Sequence, residues 1–334
     1  MINNIFSWQH HIWHQLQANR QRLPHAILLH GRAGIGKYDF AKQLSQSLLC
    51  LQPDDSGAAC QQCASCNWFK EEGHPDFRLL SPEQEDDAEQ EGGATKKTRK
   101  KTQISVAQIR DLNDFLGLSS HRSEGLRIIL IHPAESLNVA SANALLKMLE
   151  EPASGVLFIL VSHHLQRLIP TILSRCQKIQ MPVPTEEEAL GWLNKQGVSN
   201  AAQQLAYLDG SPIKVFNEQS QFEQFKDVWR LLALGNKLEP HLLAPLLIVH
   251  SVESGITALQ KWIYDIVAIK MVGQIHYHLP YVKALQVLAE KVNLNRLFDL
   301  QKNLMEMRKL ATHPLNHELQ MENLLVEYTK AFKN

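Results

Sequence analysis

The sequence predicts an α/β domain built on a largely parallel sheet, followed by a region that is helical throughout. Three observations carry that expectation. Short apolar runs alternate with amphipathic segments over the first half of the chain, two prolines in the stretch MPVPT at 181–185 then interrupt the pattern, and the segments beyond repeat their apolar residues at the helical period. Strands covered by helices on both faces are apolar along most of their length, so such runs suit a parallel sheet.

Taken in order, residues 26–30, 77–80, 127–131 and 157–161 read as buried strands. Residues 38–49, 106–118 and 140–150 read as the amphipathic helices between them. Residues 83–103 join a strongly acidic block to the basic run TKKTRKK. They hold too few apolar side chains to offset the entropy of ordering, which predicts a mobile charged loop whose acidic half can neutralise the lysines, with a DNA-touching basic arm as the alternative reading. Past MPVPT, residues 186–196 and 201–208 predict two short helices, and Gly210-Ser211-Pro212 opens a third. Longer amphipathic helices are expected at 222–234, 255–271, 280–292, 294–312 and 318–332. The division that follows is 1–183, 184–221 and 222–334.

The chain has 334 residues, 44% of them apolar, and its 34 basic and 34 acidic side chains cancel. A neutral total provides no overall field towards DNA or a membrane surface, so any nucleic-acid role is local or borrowed from partners. No apolar stretch approaches the ~18 residues that a spanning helix needs. The first 14 residues carry Trp, His and Gln where a signal peptide has an apolar core. A cytoplasmic location is expected.

The strand at 26–30 leads into Gly31-Arg32-Ala33-Gly34-Ile35-Gly36-Lys37-Tyr38, which fits the phosphate-loop pattern everywhere except at its last position. Gly31, Gly34 and Gly36 let backbone N–H groups approach an anion, Lys37 has the reach for the β/γ-phosphates, and the next helix points its N-terminus at them. The last position needs a short hydroxyl for Mg²⁺, and Tyr38 offers a phenol on a rigid ring. The strand at 127–131 should end in a metal-holding acid, yet His132-Pro133 follows and the nearest acid is Glu135. Both Mg²⁺-holding groups are therefore missing together, which argues against hydrolysis. Two readings of the loop stay open: phosphate or ATP/ADP binding without hydrolysis, and a tight strand-to-helix turn.

Four of the five cysteines form C-x9-C-x2-C-x2-C at Cys50, Cys60, Cys63 and Cys66. In a reducing compartment this spacing points to a structural Zn²⁺ site, four thiolates leaving no position for water. Cys176 stands apart and reads as a small core residue.

Several further motifs sit in a characteristic order: His25–Gly31, the cysteine cluster, His74-Pro75-Asp76-Phe77, Ile104 to Arg110, then Asn143-Ala144-Leu145-Leu146-Lys147-Met148-Leu149-Glu150-Glu151-Pro152 and Thr171-Ile172-Leu173-Ser174-Arg175-Cys176. Together they resemble the AAA+ clamp-loader subunits of bacterial DNA polymerase III over about the first 180 residues. The remainder matches only in being helical. The resemblance implies an AAA+ P-loop domain with a zinc module inserted at 50–66, then a small helical lid and an all-α collar that holds subunits together. Motor subunits of that family (γ/τ) keep the phosphate-loop threonine and an Asp-Glu pair, from which this chain departs at Tyr38, His132 and Pro133. The δ subunit usually lacks the zinc cysteines and the Ser-Arg-Cys motif. What remains is a non-motor subunit partnered by γ/τ and δ in a hetero-pentamer, acting on the β sliding clamp and primer-template DNA.

The same resemblance implies that Arg175 acts in trans as an arginine finger on ATP held by a neighbour, spreading charge in phosphoryl transfer. Ser162 and His163 fall at the family's polar sensor position, and Lys214 where motor subunits carry a sensing arginine; an ordinary helix-surface lysine is an equal reading of Lys214. An active γ/τ-like P-loop ATPase and a zinc-dependent DNA-binding protein are the rival functions. Tyr38 and His132 argue against the first, and the lack of a basic, aromatic-rich face against the second.

Overall fold

The four apolar runs form strands, and a fifth joins them, in a computed structural model that describes residues 5–82, 103–117, 125–311 and 316–332. Strands β1 (Ala26–His30), β2 (Phe77–Leu80), β3 (Arg127–Ile131), β4 (Val156–Ser162) and β5 (Gln177–Gln180) make one sheet in the order β2-β3-β4-β1-β5. Every pairing is parallel. Helices α1 (His10–Ala18), α2 (Lys37–Leu49), α3 (Ala64–Lys70), α4 (Val106–Gly117), α5 (Val139–Glu150) and α6 (Pro170–Arg175) complete this part of the chain.

Side chains alternate along each strand, and this sorts the core into two layers. Ile27, Leu29, Ile128, Leu130, Ile159 and Val161 pack with Trp13 of α1, Phe40 and Leu44 of α2, and Phe69 of α3. Leu28, Ile129, Ile131, Phe158 and Leu160 pack on the other face with Ile109 and Leu112 of α4, Leu145 and Leu149 of α5, and Ile172 of α6. All seven residues of β4 are buried, as expected of a strand paired on both sides. The predicted charged loop falls at 83–102, outside the described residues, apart from Gln103.

The chain divides into two compact units, Met1–Glu188 and Ala189–Asn334. The second begins within α7 (Glu186–Lys195) and continues through α8 (Ala201–Tyr207), α9 (Pro212–Asn217), α10 (Gln219–Leu232), α11 (Pro240–Ile248), α12 (Val252–Val272), α13 (Val282–Lys291), α14 (Leu294–Lys309) and α15 (His317–Lys330). Helices α7 to α9 share a small core around Leu193, Leu205 and Val215. The larger bundle packs around Trp229, Trp262 and Tyr328, and Tyr207 of α8 belongs to that core. Inside it the Trp262 indole donates to Tyr328 Oη at 2.9 Å, and the phenol donates to the Leu232 carbonyl at 2.8 Å, so both polar groups are satisfied.

Candidate functional site

At the end of β1 the phosphate loop turns through Gly31, Gly34 and Gly36 at φ +148°, +76° and +85°, values that favour glycine. A Cβ on Gly31 would also meet the Met181 carbonyl at 3.2 Å. Lys37, only 2% exposed, opens α2. Its ammonium donates to the Gly31 carbonyl at 2.8 Å and to the Arg32 carbonyl. The Trp8 indole and the Gln9 amide both donate to the Ile35 carbonyl, at 3.1 and 2.8 Å. The loop is thus held by its own carbonyls and by the segment before α1.

Tyr38 stacks on His132 with ring centroids 4.7 Å apart, and His132 meets His163 edge-on at 5.5 Å. Glu135, the nearest acid, accepts the His163 backbone N–H on its Oε1 at 3.0 Å. Burial holds both imidazoles below their ordinary range; Lys37 adds to this and Glu135 opposes it, leaving His163 at about 4. Neutral rings pack here without mutual repulsion. The positions that would hold Mg²⁺ form an aromatic stack instead, so these residues do not fit a Mg²⁺–nucleotide in its hydrolytic arrangement. Ser162, buried at the end of β4 opposite His30, accepts the His164 N–H at 3.1 Å.

The Sγ atoms of Cys50, Cys60, Cys63 and Cys66 all lie within 4.8 Å of one another. Cys50–Cys63 and Cys60–Cys66 are 3.9 Å apart and Cys50–Cys66 3.7 Å. These separations are far beyond a disulfide bond, whereas a tetrahedron of Zn–S bonds of about 2.3 Å has edges of about 3.8 Å. Backbone N–H groups of Cys60, Cys63 and Cys66 lie 3.2, 3.4 and 3.5 Å from the sulfurs of Cys50, Cys60 and Cys63, an arrangement that stabilises thiolates. The backbone N–H groups of Gln62 and Cys63 bring Cys60 down to about 6; burial works to raise Cys63 but the backbone N–H groups of Leu51 and Cys66 lower it, whereas burial raises Cys50 and Cys66. The donor set fits a structural metal ion.

A hydrogen-bond relay ties the cysteine module to the sheet. The Asp76 N–H lies 3.0 Å from His74 Nδ1, so that nitrogen accepts and Nε2 carries the proton. His74 Nε2 then donates to Ser65 Oγ at 2.8 Å, and the Ser65 hydroxyl donates to the Leu49 carbonyl at the end of α2 at 2.7 Å. His74 and Ser65 are both buried.

Arg175 ends α6, between β4 and β5. Its Nη2 pairs with Glu150 Oε1 at 2.5 Å, and Nη1 donates to the Thr171 carbonyl at 3.0 Å and Ser174 Oγ at 3.3 Å. Cys176 beside it is buried, which pushes its thiol up to about 11.

Residues 8–185 match the family model described as DNA polymerase III, delta subunit, nearly the span of the first unit. A DNA polymerase III subunit delta' from Pseudomonas aeruginosa is 30% identical over 341 residues, taking in 97% of this chain and 97% of that protein. The chain belongs to the DNA polymerase III δ′ family. The δ′ proteins of Haemophilus influenzae and Escherichia coli are 34% and 30% identical across 59% and 57% of this chain, and 55% and 53% of their own lengths. A gamma subunit-related protein from Thermotoga maritima superposes with a TM-score of 0.46 at 17% identity, covering 96% of this chain and 99% of that one.

The sequence reading singled out the loop glycines, Lys37 and the four cysteines, and the fold gathers those cysteines into one cluster. Arg175 has as its polar partners, among the described residues, only groups of α5 and α6. Lys214 lies on α9, in the second unit. Sequence reasoning missed Trp8, Gln9, Ser65 and Glu150 as supporting residues. Their partners are distant in the chain, and only the His74-Pro75-Asp76 motif gave any signal of the relay.

Proposed function

We propose that this chain is the δ′-type, non-motor subunit of a clamp loader, assembling with γ/τ and δ subunits to place the β sliding clamp on primer-template DNA in the cytoplasm. Family membership supports the clamp-loader role, and no helix among the described residues is long and apolar enough to cross a membrane. The single observation that carries the non-motor reading is the phosphate loop itself. Lys37 is turned onto the loop's own carbonyls while Tyr38 stacks on His132. Zn²⁺ is the ion assigned to Cys50, Cys60, Cys63 and Cys66, where it fixes the module and has no catalytic duty. Residues 184–221 would serve as the lid and 222–334 as the collar.

In this reading the chain's chemistry is exported. Arg175 supplies a guanidinium to the γ-phosphate of ATP bound by an adjacent γ/τ subunit. Such fingers contribute about 10³–10⁵-fold in phosphohydrolases. Only one site of the assembly would depend on Arg175, so Arg175→Ala should lower total turnover in part while leaving assembly intact. The experiment is reconstitution with γ/τ and δ, comparing the unmodified chain, Arg175→Ala and Lys37→Ala for ATP turnover and clamp loading. Unchanged rates in an intact Arg175→Ala complex would rule out the trans-acting role.

A further inference from the structure

We infer that Glu150 is a positioning residue for Arg175, holding its guanidinium ready for a neighbour's phosphate; this rests on the trans-acting reading of Arg175. The pair joins the last residue of α5 to the last residue of α6, with Glu150 Oε1 2.5 Å from Arg175 Nη2. Both Nη1 bonds go to the same short helix, to the Thr171 carbonyl and Ser174 Oγ. Of the five N–H donors of a guanidinium, these contacts occupy three. Among the described residues nothing takes the other two, one on Nη2 and one on Nε. The fork is therefore fixed on one side and has donors left for an oxyanion.

Stability alone explains Glu150 poorly. Its side chain is 48% exposed and that of Arg175 32%, a setting in which an ion pair adds little to folding. Moreover, a carboxylate at a helix C-terminus opposes the helix dipole, so α5 by itself disfavours an acid at this place. Fixing a flexible arginine before phosphate arrives does have a kinetic consequence. The rotamer freedom otherwise lost in the transition state limits the benefit to about thirtyfold at the dependent site.

The test uses the reconstituted complex with Glu150→Gln, Glu150→Ala, Arg175→Ala and the double variant Glu150→Ala/Arg175→Ala. Glu150→Ala should lose most of the ATP turnover that Arg175→Ala loses, by a fall in kcat at unchanged KM for ATP. Glu150→Gln keeps an acceptor of the same shape and should lose less. Thermal midpoints of the single variants should match the parent, and the double variant should turn over as slowly as Arg175→Ala alone. Three results would overturn the proposal: full turnover by Glu150→Ala where Arg175→Ala is slow, an equal further loss in the Arg175→Ala background, or a drop in midpoint that tracks the loss. If Arg175→Ala itself turns over normally, the finger reading and this inference fail together, an outcome distinct from failure of Glu150 alone.

Discussion

At the phosphate loop, the exchange of a short hydroxyl for Tyr38 and of an acid for His132 alters charge as well as ligand chemistry. Neutral rings now line a space beside the buried Lys37 ammonium. His163, held at about 4 by burial and by Lys37, binds fewer protons folded than unfolded between about pH 4 and its ordinary value near 6.5. Folding stability must then rise with pH through that window and fall on acidification. Urea midpoints measured at pH 7 and pH 5 should differ more for the parent chain than for His163→Gln, which cannot take up the proton. An equal difference in both would show that this ring does not contribute to the acid sensitivity.

Among the elements, the cysteine module carries the proposed metal site and α12 a close approach to α11. The purified chain should carry about one zinc, and Cys66→Ser should abolish it with a loss of about 3 kcal/mol or more, because ligand removal uncouples metal binding from folding. Metal analysis alongside thermal unfolding checks both parts. In the second unit, a Cβ on Gly255 of α12 would lie 2.3 Å from the Leu247 carbonyl of α11. Helix propensity favours alanine there by about 1 kcal/mol, whereas forcing two backbones apart costs about 1–3 kcal/mol. Overpacking wins because the obstacle is a main-chain carbonyl. Gly255→Ala should therefore lower the denaturant midpoint, and a raised midpoint would show that α11 can move aside. Most of the helices were legible from their apolar spacing, but α1, α3, α6 and α11 were not read, and neither was β5: Gln177-Lys178-Ile179-Gln180 has no apolar run, and its pairing with β1 makes it a strand.

For the whole molecule, equal numbers of acidic and basic groups and an inward-bonded phosphate loop both favour action through an assembly. The isolated chain should show no ATP turnover above background. Measurable turnover that disappears in Lys37→Ala would contradict this, because a contaminating ATPase would not respond to that substitution. The clamp-loader resemblance covered about the first 180 residues, and the matched span of 8–185 agrees with it. Beyond that stretch the sequence pattern specified helices without saying how they join. Tyr207, for example, ends a short helix yet packs in the core of the larger bundle.

By itself the sequence determined the features that depend on residue type at short spacing. Glycines in a loop, thiols in C-x2-C spacing and apolar runs of strand length each carry their physics locally, so the glycine-rich loop, four of the five strands and the cysteine cluster could be read directly. Tertiary structure decided the contacts between groups far apart in the chain. These are the stack of Tyr38 on His132, the Trp8 and Gln9 bonds to Ile35, the relay from Asp76 to Leu49, and the pairing of Glu150 with Arg175. Such contacts have no periodicity for a sequence to display; they arise only when the parallel sheet brings its strand ends and helix ends together.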